Sequence, residues 1–430
     1  MKIYRGTAGA IAAVALLSAP ACDLDLTNPN APTEEEIITD VNGILAVGVG
    51  LQGLYAGSVL TYVRAPALVT DEWGTAGSSL LSDRSLLLGE DVLDTYLVVT
   101  EPYSVTYEII RTANTILTSV PQIDRLSPGS RLGLSALAKL FKGMALGAII
   151  QQYREVAVDA DVEGAVPEPR GVVLGEVLGL LESARSDLAG VSDQELATLR
   201  DRVLGGGFDL HHTIDAMLAR FYLIDGQFES AITAAERVDP GVLSIFDYPS
   251  PDINPIYNYS ILANYIAPLK SFVDQAEPGD QRPAFWVEVD GDPVDANPPD
   301  TLLLPLNQYS TRNDPFPVYL PDEMKLIRAE AHARLGNLVE AIDLINEVRT
   351  PCESALEEPV ACLPPVTLAE LPRQDDVLRQ ISYERRYELY AQGLRWEDLR
   401  RFAGVVDRAP SIDFLPFPGS ECDANPNAGC

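Results

Sequence analysis

The sequence predicts a mainly all-α fold, and three features carry that reading. Apolar residues recur at three- and four-residue spacing over long stretches, the pattern of helices with one buried face. A short pattern, Gly-x-[large apolar]-x-x-Ala-Ile, occurs twice, each time after an Ala-rich helical run. Between the two copies, at about 242–319, helical periodicity fails, and about a third of the chain's aromatic residues and prolines fall in under a fifth of its length.

Taken in order, the chain opens on a targeting segment, residues 1–21. Lys2 and Arg5 precede an apolar run from Ala8 to Leu17, too short for a bilayer, which needs roughly 20 apolar residues. Ala19-Pro20-Ala21 leads directly into Cys22, the arrangement of a lipoprotein whose acylated thiol becomes the new N-terminus; the competing reading is plain secretion with cleavage near Ala21. Residues 22–40 read as a lipidated, Pro- and Asn-containing tether. No later segment reads as membrane-crossing, so the chain is expected to be anchored to the bilayer by lipid.

Residues 41–430 are expected to form one domain. Helices start near Val41. From Arg131 to Gln152, Leu134, Leu137, Phe141, Met144 and Ala148 share one face, and a further helix is expected over Val172 to Ala189. The repeated pattern sits at Gly226 to Ile232, after the run Ile214 to Ile224, and at Gly336 to Ile342, after Asp322 to Leu335. A Gly that ends one helix and a small Ala that lets the next pack close are the grammar of tetratricopeptide-type helical pairs. Two ordinary helical hairpins would look the same. The insertion is too aromatic for a disordered linker and reads as irregular, with short strands around Phe285 to Val289. Helices follow at about Asp375 to Tyr390 and Arg395 to Phe402, and the tail from Asp413 to Cys430 is expected to wrap the surface.

The four cysteines beyond Cys22 form two sequence-local pairs, which suits an oxidising compartment. Of the three possible connectivities the local one, Cys352 with Cys362 and Cys422 with Cys430, is preferred; free thiols or a metal site are the alternatives, and no nearby His completes a metal site. A loop of about 10 residues closed this way is stabilised by at most roughly 3 kcal/mol. The net charge of −32 argues against nucleic acid and against a basic patch for anionic lipid. Phosphate-loop and nucleophile-elbow motifs are missing from the sequence, so no enzyme and no cofactor is expected. His211, His212 and His332 fall in the helices of the repeated units. Asp159-x-Asp161-x-Glu163-Gly164 opens like a calcium loop, but its twelfth position is Arg170, so no metal is expected there.

The C-terminal third carries the most specific signal. It reads Ile381-x-x-Glu384-Arg385-x-x-Glu388-Leu389, then Gly393-x-Arg395-Trp396-x-Asp398-Leu399-Arg400-Arg401, then Leu415-Pro416-x-Pro418-x-x-Glu421-x-Asp423-Ala424-Asn425-Pro426-Asn427. The run Pro317-Val318-Tyr319-Leu320 precedes Ile327-Arg328-Ala329-Glu330-Ala331, and the mature start is Cys22-Asp23-Leu24-Asp25. This set resembles the SusD/RagB family of outer-membrane nutrient-binding lipoproteins. The resemblance implies a SusD-like fold: eight helices in four tetratricopeptide-like pairs, with a loop-rich ligand face. It also implies a TonB-dependent, SusC-like outer-membrane transporter as partner, an oligosaccharide or peptide ligand, and a lipid-anchored position on the outer face of the outer membrane. Gln392 departs from the family, which often has Glu there, and Cys422 and Cys430 replace residues that are usually not Cys. The alternative is a helical scaffold lipoprotein without a small ligand.

An oligosaccharide needs aromatic platforms for its C–H faces and polar groups at the rim for its hydroxyls. Trp73, Trp286, Tyr257, Tyr259 and Tyr265 are the platform candidates, with Trp73 expected on a loop between Glu72 and Gly74, and Asn258 and Asn264 are the rim candidates. Core burial is the competing reading for each. Glu384, Arg385, Glu388, Arg395 and Asp398 are expected to be a structural ion-pair network between adjoining helices.

Overall fold

The computed structural model describes residues 39–162, 164–428 and 430. The targeting segment, Cys22 and most of the tether therefore lie outside the described residues. The main helices are α1 (Val41–Gly57), α2 (Val59–Val69), α3 (Leu81–Leu88), α4 (Leu97–Ser119), α5 (Pro128–Ile149), α6 (Arg170–Leu188), α7 (Leu210–Ile224), α8 (Phe228–Ala235), α9 (Pro321–Arg334), α10 (Leu338–Arg349), α11 (Gln374–Glu388) and α12 (Arg395–Arg401). The strands are β1 (Trp73–Thr75), β2 (Glu155–Val156), β3 (Glu168–Pro169), β4 (Ile245–Phe246), β5 (Ile266–Pro268) and β6 (Phe316–Pro317). They pair antiparallel as β1–β5, β2–β3 and β4–β6. The fold is mainly α-helical, as the periodicity implied.

The two repeated motifs are helical hairpins, α7–α8 and α9–α10, and they pack on one another through α8 and α9. In both, the Gly occupies the left-handed region, φ +79° at Gly226 and +87° at Gly336. The following amide then turns back onto the helix: Gln227 N donates to the Tyr222 carbonyl and Asn337 N to that of His332. This satisfies helix-end carbonyls in a conformation that favours Gly. Ala231 and Ala341 are fully buried, so the second helix of each pair sits close to the first.

Helix α5 is the centre of the N-terminal half and packs against α4 and α6. Ser127 caps it, accepting from Ser130 N. A Cβ at Gly147 would lie 2.1 Å from the Phe221 ring, so this glycine is what admits α7. One contiguous cluster of buried residues runs from Ile44 to Leu415.

Two stretches, Val41–Val69 and Pro128–Ile149, are long and apolar enough to cross a membrane by length and composition. This corrects the expectation that no later segment reaches that threshold. The second is 72% buried against the other helices. The first breaks at Ser58 into α1 and α2, and carries Arg64 within α2, ion-paired to Asp83.

The insertion also departs from expectation. Where strands were expected around Phe285 to Val289, a short helix spans Arg282–Trp286, followed by a single bridge between Val287 and Leu306. Pro283 at the first turn starts that helix. Of the expected charge network, Arg385 pairs with Asp398 at 2.9 Å, and Arg401 joins Asp398 at 2.8 Å to Glu330 of α9 at 3.0 Å, whereas Glu384 and Glu388 turn to Arg282 of the insertion and Arg395 donates to Ser382 rather than to a carboxylate. Cys352 bonds to Cys362, and Cys422 to Cys430.

Candidate functional site

The insertion lays a short helical turn, 255–262, beside α2 and α3. Asn254 starts it by accepting from Ile256 N and Tyr257 N, while its own amide donates to the Asp314 carbonyl at 2.7 Å. Pro255 at the first position fits that role. The turn ends at Asn264, whose φ of +53° reverses the chain into β5. Asn is among the residues that tolerate this region. The β1–β5 ladder continues past its strand ends, with Ala76 N donating to the Tyr265 carbonyl at 2.9 Å and Ser78 N to that of Asn264 at 3.3 Å.

This brings Tyr257, Asn258, Tyr259, Asn264 and Tyr265 together on one segment. Asn258 is exposed, and the other four are half-buried. Tyr259 and Tyr265 meet edge to face with centroids 4.9 Å apart. Tyr259 is held from behind: its hydroxyl donates to Asp83 Oδ2 at 2.6 Å, and the Arg64 guanidinium lies 4.6 Å over its ring. Arg64 Nε donates to the other Asp83 oxygen at 2.7 Å. Burial raises the Asp83 carboxyl above the usual carboxylate range, while Arg64 and the Tyr259 hydroxyl pull it down. Tyr259 therefore acts as a fixed support, and Tyr257, Tyr265 and the two amides are the members able to meet a ligand. Ile261 and Leu262, 41% and 57% exposed, border them.

The two tryptophans do not belong to this surface. Trp73 is 0% and Trp286 1% exposed, and a sugar platform needs an open ring face. Trp73 sits in β1, opposite Pro268, rather than on a loop. Trp286 donates from Nε1 to the Tyr387 carbonyl at 2.9 Å and packs against Phe285, Tyr309 and Tyr390. Both are core residues, and burial denies them the ligand-platform role that the sequence suggested. Sequence reasoning missed Arg64 and Asp83. The available signal was Arg64 itself, a lone charge in the apolar run Val59–Val69, which burial obliges to find a partner.

Beside Trp73, Glu72 is 2% exposed. Burial pushes its carboxyl up to about 7, against the opposing pull of Arg395, and Asp398 adds to the rise. The folded-state value lies above the unfolded one. The stability from the protonated form is thus complete below about pH 4.5 and is lost as pH rises towards 7. Replacing Glu72 with Gln is expected to leave urea stability nearly unchanged at pH 4.5 and to raise it at pH 8 by on the order of 2–3 kcal/mol.

The SusD family profile matches residues 307–425, which hold α9 to α12 and the ion-pair network joining them. That match spans just over a quarter of the chain, and over it the C-terminal part is similar to the SusD family. A curated relative, SusD-like protein P38 of Formosa agariphila, is 39% identical over 93 residues, which span 22% of this chain and 18% of that protein. Among solved structures, a SusD-like carbohydrate-binding protein from Bacteroides vulgatus superposes with a TM-score of 0.69 at 15% identity, over 89% of this chain and 97% of that one. A laminarin-binding SusD-like protein superposes with a TM-score of 0.63 at 15% identity, over 90% of this chain and 99% of that one. At such identities these likenesses show the fold alone.

Proposed function

We propose that this protein is a SusD-family member, a non-enzymatic, cell-surface lipoprotein that captures oligosaccharides and passes them to a TonB-dependent, SusC-like transporter in the outer membrane. The observation that carries the proposal is the braced tyrosine platform. Two half-buried rings, Tyr257 and Tyr265, stand on a rigid turn with Asn258 and Asn264 at their edge, the combination a sugar's apolar faces and hydroxyls require. Carbohydrate binding by two neighbours of the same fold supports it. Peptides are the other ligand class the family resemblance implies.

In this reading Cys22 carries the lipid, the helical body docks on the transporter, and ligand stabilises the closed lid by binding it more tightly than the open one. The test is a glycan array probed with the tagged chain, beside an affinity pull-down from gently solubilised outer membranes. Retention on one linkage class of glucan and co-elution of a large β-barrel transporter in near-equal amount are expected. No glycan retained and no transporter recovered would overturn the proposal.

A further inference from the structure

A second cleft lies away from the tyrosine platform, between α4, the loop after β2 and the C-terminal helix Gly419–Ala424. Its volume is about 460 Å³, within the usual range of small-molecule sites. Tyr103 and Tyr107, one helical turn apart on α4, form its aromatic wall with centroids 4.7 Å apart. Tyr107 is fixed by donating to the Ala157 carbonyl at 2.7 Å. Tyr103 is 6% exposed, and its buried hydroxyl lies beside that of Tyr107.

Polar groups of both signs line the cleft around that wall: Arg111 from α4, Asp159 from the loop, and Glu421 and Asn425 from the C-terminal segment. Asn425 donates to Glu421 Oε1 and to the Ala165 carbonyl, both at 2.8 Å, so the wall built by the tail is ordered. The bond between Cys422 and Cys430 closes the chain beyond it. A neighbouring cleft of about 400 Å³ opens along the same tail, lined by Arg154, Phe414 and Phe417. Phe417 meets the Tyr103 ring edge to face at 5.4 Å, so the two clefts share an aromatic ridge.

We propose that this tail cleft is a second carbohydrate-binding site, taking a neutral oligosaccharide whose rings lie on the half-buried Tyr107 and Phe417, with the buried Tyr103 ring packed behind them. Mixed charge with no surplus cation disfavours an anionic ligand. Arg donors and carboxylate acceptors lining one cleft suit neighbouring hydroxyls, which donate and accept at once. The carbohydrate class rests on the proposed function, but the position does not, because no residue is shared with the tyrosine platform.

The experiment is hydrogen–deuterium exchange on the full chain in detergent, with maltohexaose, laminarihexaose and cellohexaose as probes. At least one probe is expected to slow exchange in residues 97–111 and 413–425 as well as in 255–265. Ser104→Trp, at an exposed position lining the cleft, and Arg111→Ala are each expected to abolish protection of 97–111 while leaving 255–265 protected. Protection confined to 255–265 overturns the cleft and leaves the platform standing. Protection confined to the cleft does the reverse. No protection with any probe, or cleft protection unaffected by both substitutions, overturns the second site.

Discussion

Replacing Arg282 with Met is expected to destabilise the protein by about 3–5 kcal/mol, the usual cost of stripping the partner from buried charge. Arg282 is 0% exposed. Its Nε and one terminal nitrogen donate to Asp280 at 3.0 and 2.7 Å, and the other terminal nitrogen lies 2.7 Å from Glu384 and 3.6 Å from Glu388. Met fills a similar volume, so the effect isolates the charge. Burial holds the Glu388 carboxyl well above its ordinary value, with Asp322 adding to the rise and Arg282 opposing it. Without the guanidinium Asp280 and Glu388 have to be buried without a cation or take up protons, while Glu384 keeps only Arg349, at 2.9 Å. The loss, measured by urea unfolding, is therefore expected to be larger at pH 8 than at pH 5. Arg373→Met, which removes an ion pair from a side chain 71% exposed, is expected to change nothing measurable. Equal effects from the two substitutions would contradict the account.

Trp286→Ala is expected to cost about 3–5 kcal/mol, the range for deleting a large buried aromatic side chain. The indole is enclosed by Phe285, Tyr309 and Tyr390, and its removal also leaves the Tyr387 carbonyl without the Nε1 donor. A lower urea midpoint with an unchanged slope is the expected signature. A ligand platform would behave in the opposite way, losing affinity with stability intact, and that outcome would return Trp286 to the binding surface.

These two residues also show what the sequence could reveal. The helical hairpins were legible because their signals are local: a Gly that must adopt positive φ, a small Ala five residues on, and apolar residues at helical spacing. The Arg385–Asp398 pair of α11 and α12 was legible in the same way, but the partner of Glu384 and Glu388, Arg282, was not, because it comes from the insertion about 100 residues away. The tryptophans were not, because a residue type does not say which way its ring faces. Trp286 is buried by Tyr309 and Tyr390, far from it in sequence, and Trp73 by a strand that pairs across nearly 200 residues. Within the platform, composition picked out the tyrosines and amides. Their brace, Arg64 with Asp83, was hidden because it joins α2 and α3 to the insertion through tertiary contacts alone.

The central claim is that Tyr257 and Tyr265 form an oligosaccharide platform. Isothermal titration of maltohexaose, laminarihexaose and cellohexaose into the wild-type chain and into Tyr257→Ala/Tyr265→Ala tests it most directly, with thermal melts of both proteins alongside. The account predicts that a probe bound by the wild type loses about tenfold or more in affinity in the variant, while the melting temperature stays nearly unchanged because Tyr259, Arg64 and Asp83 still hold the turn. Equal affinity in the two proteins, with both fully folded, would contradict it.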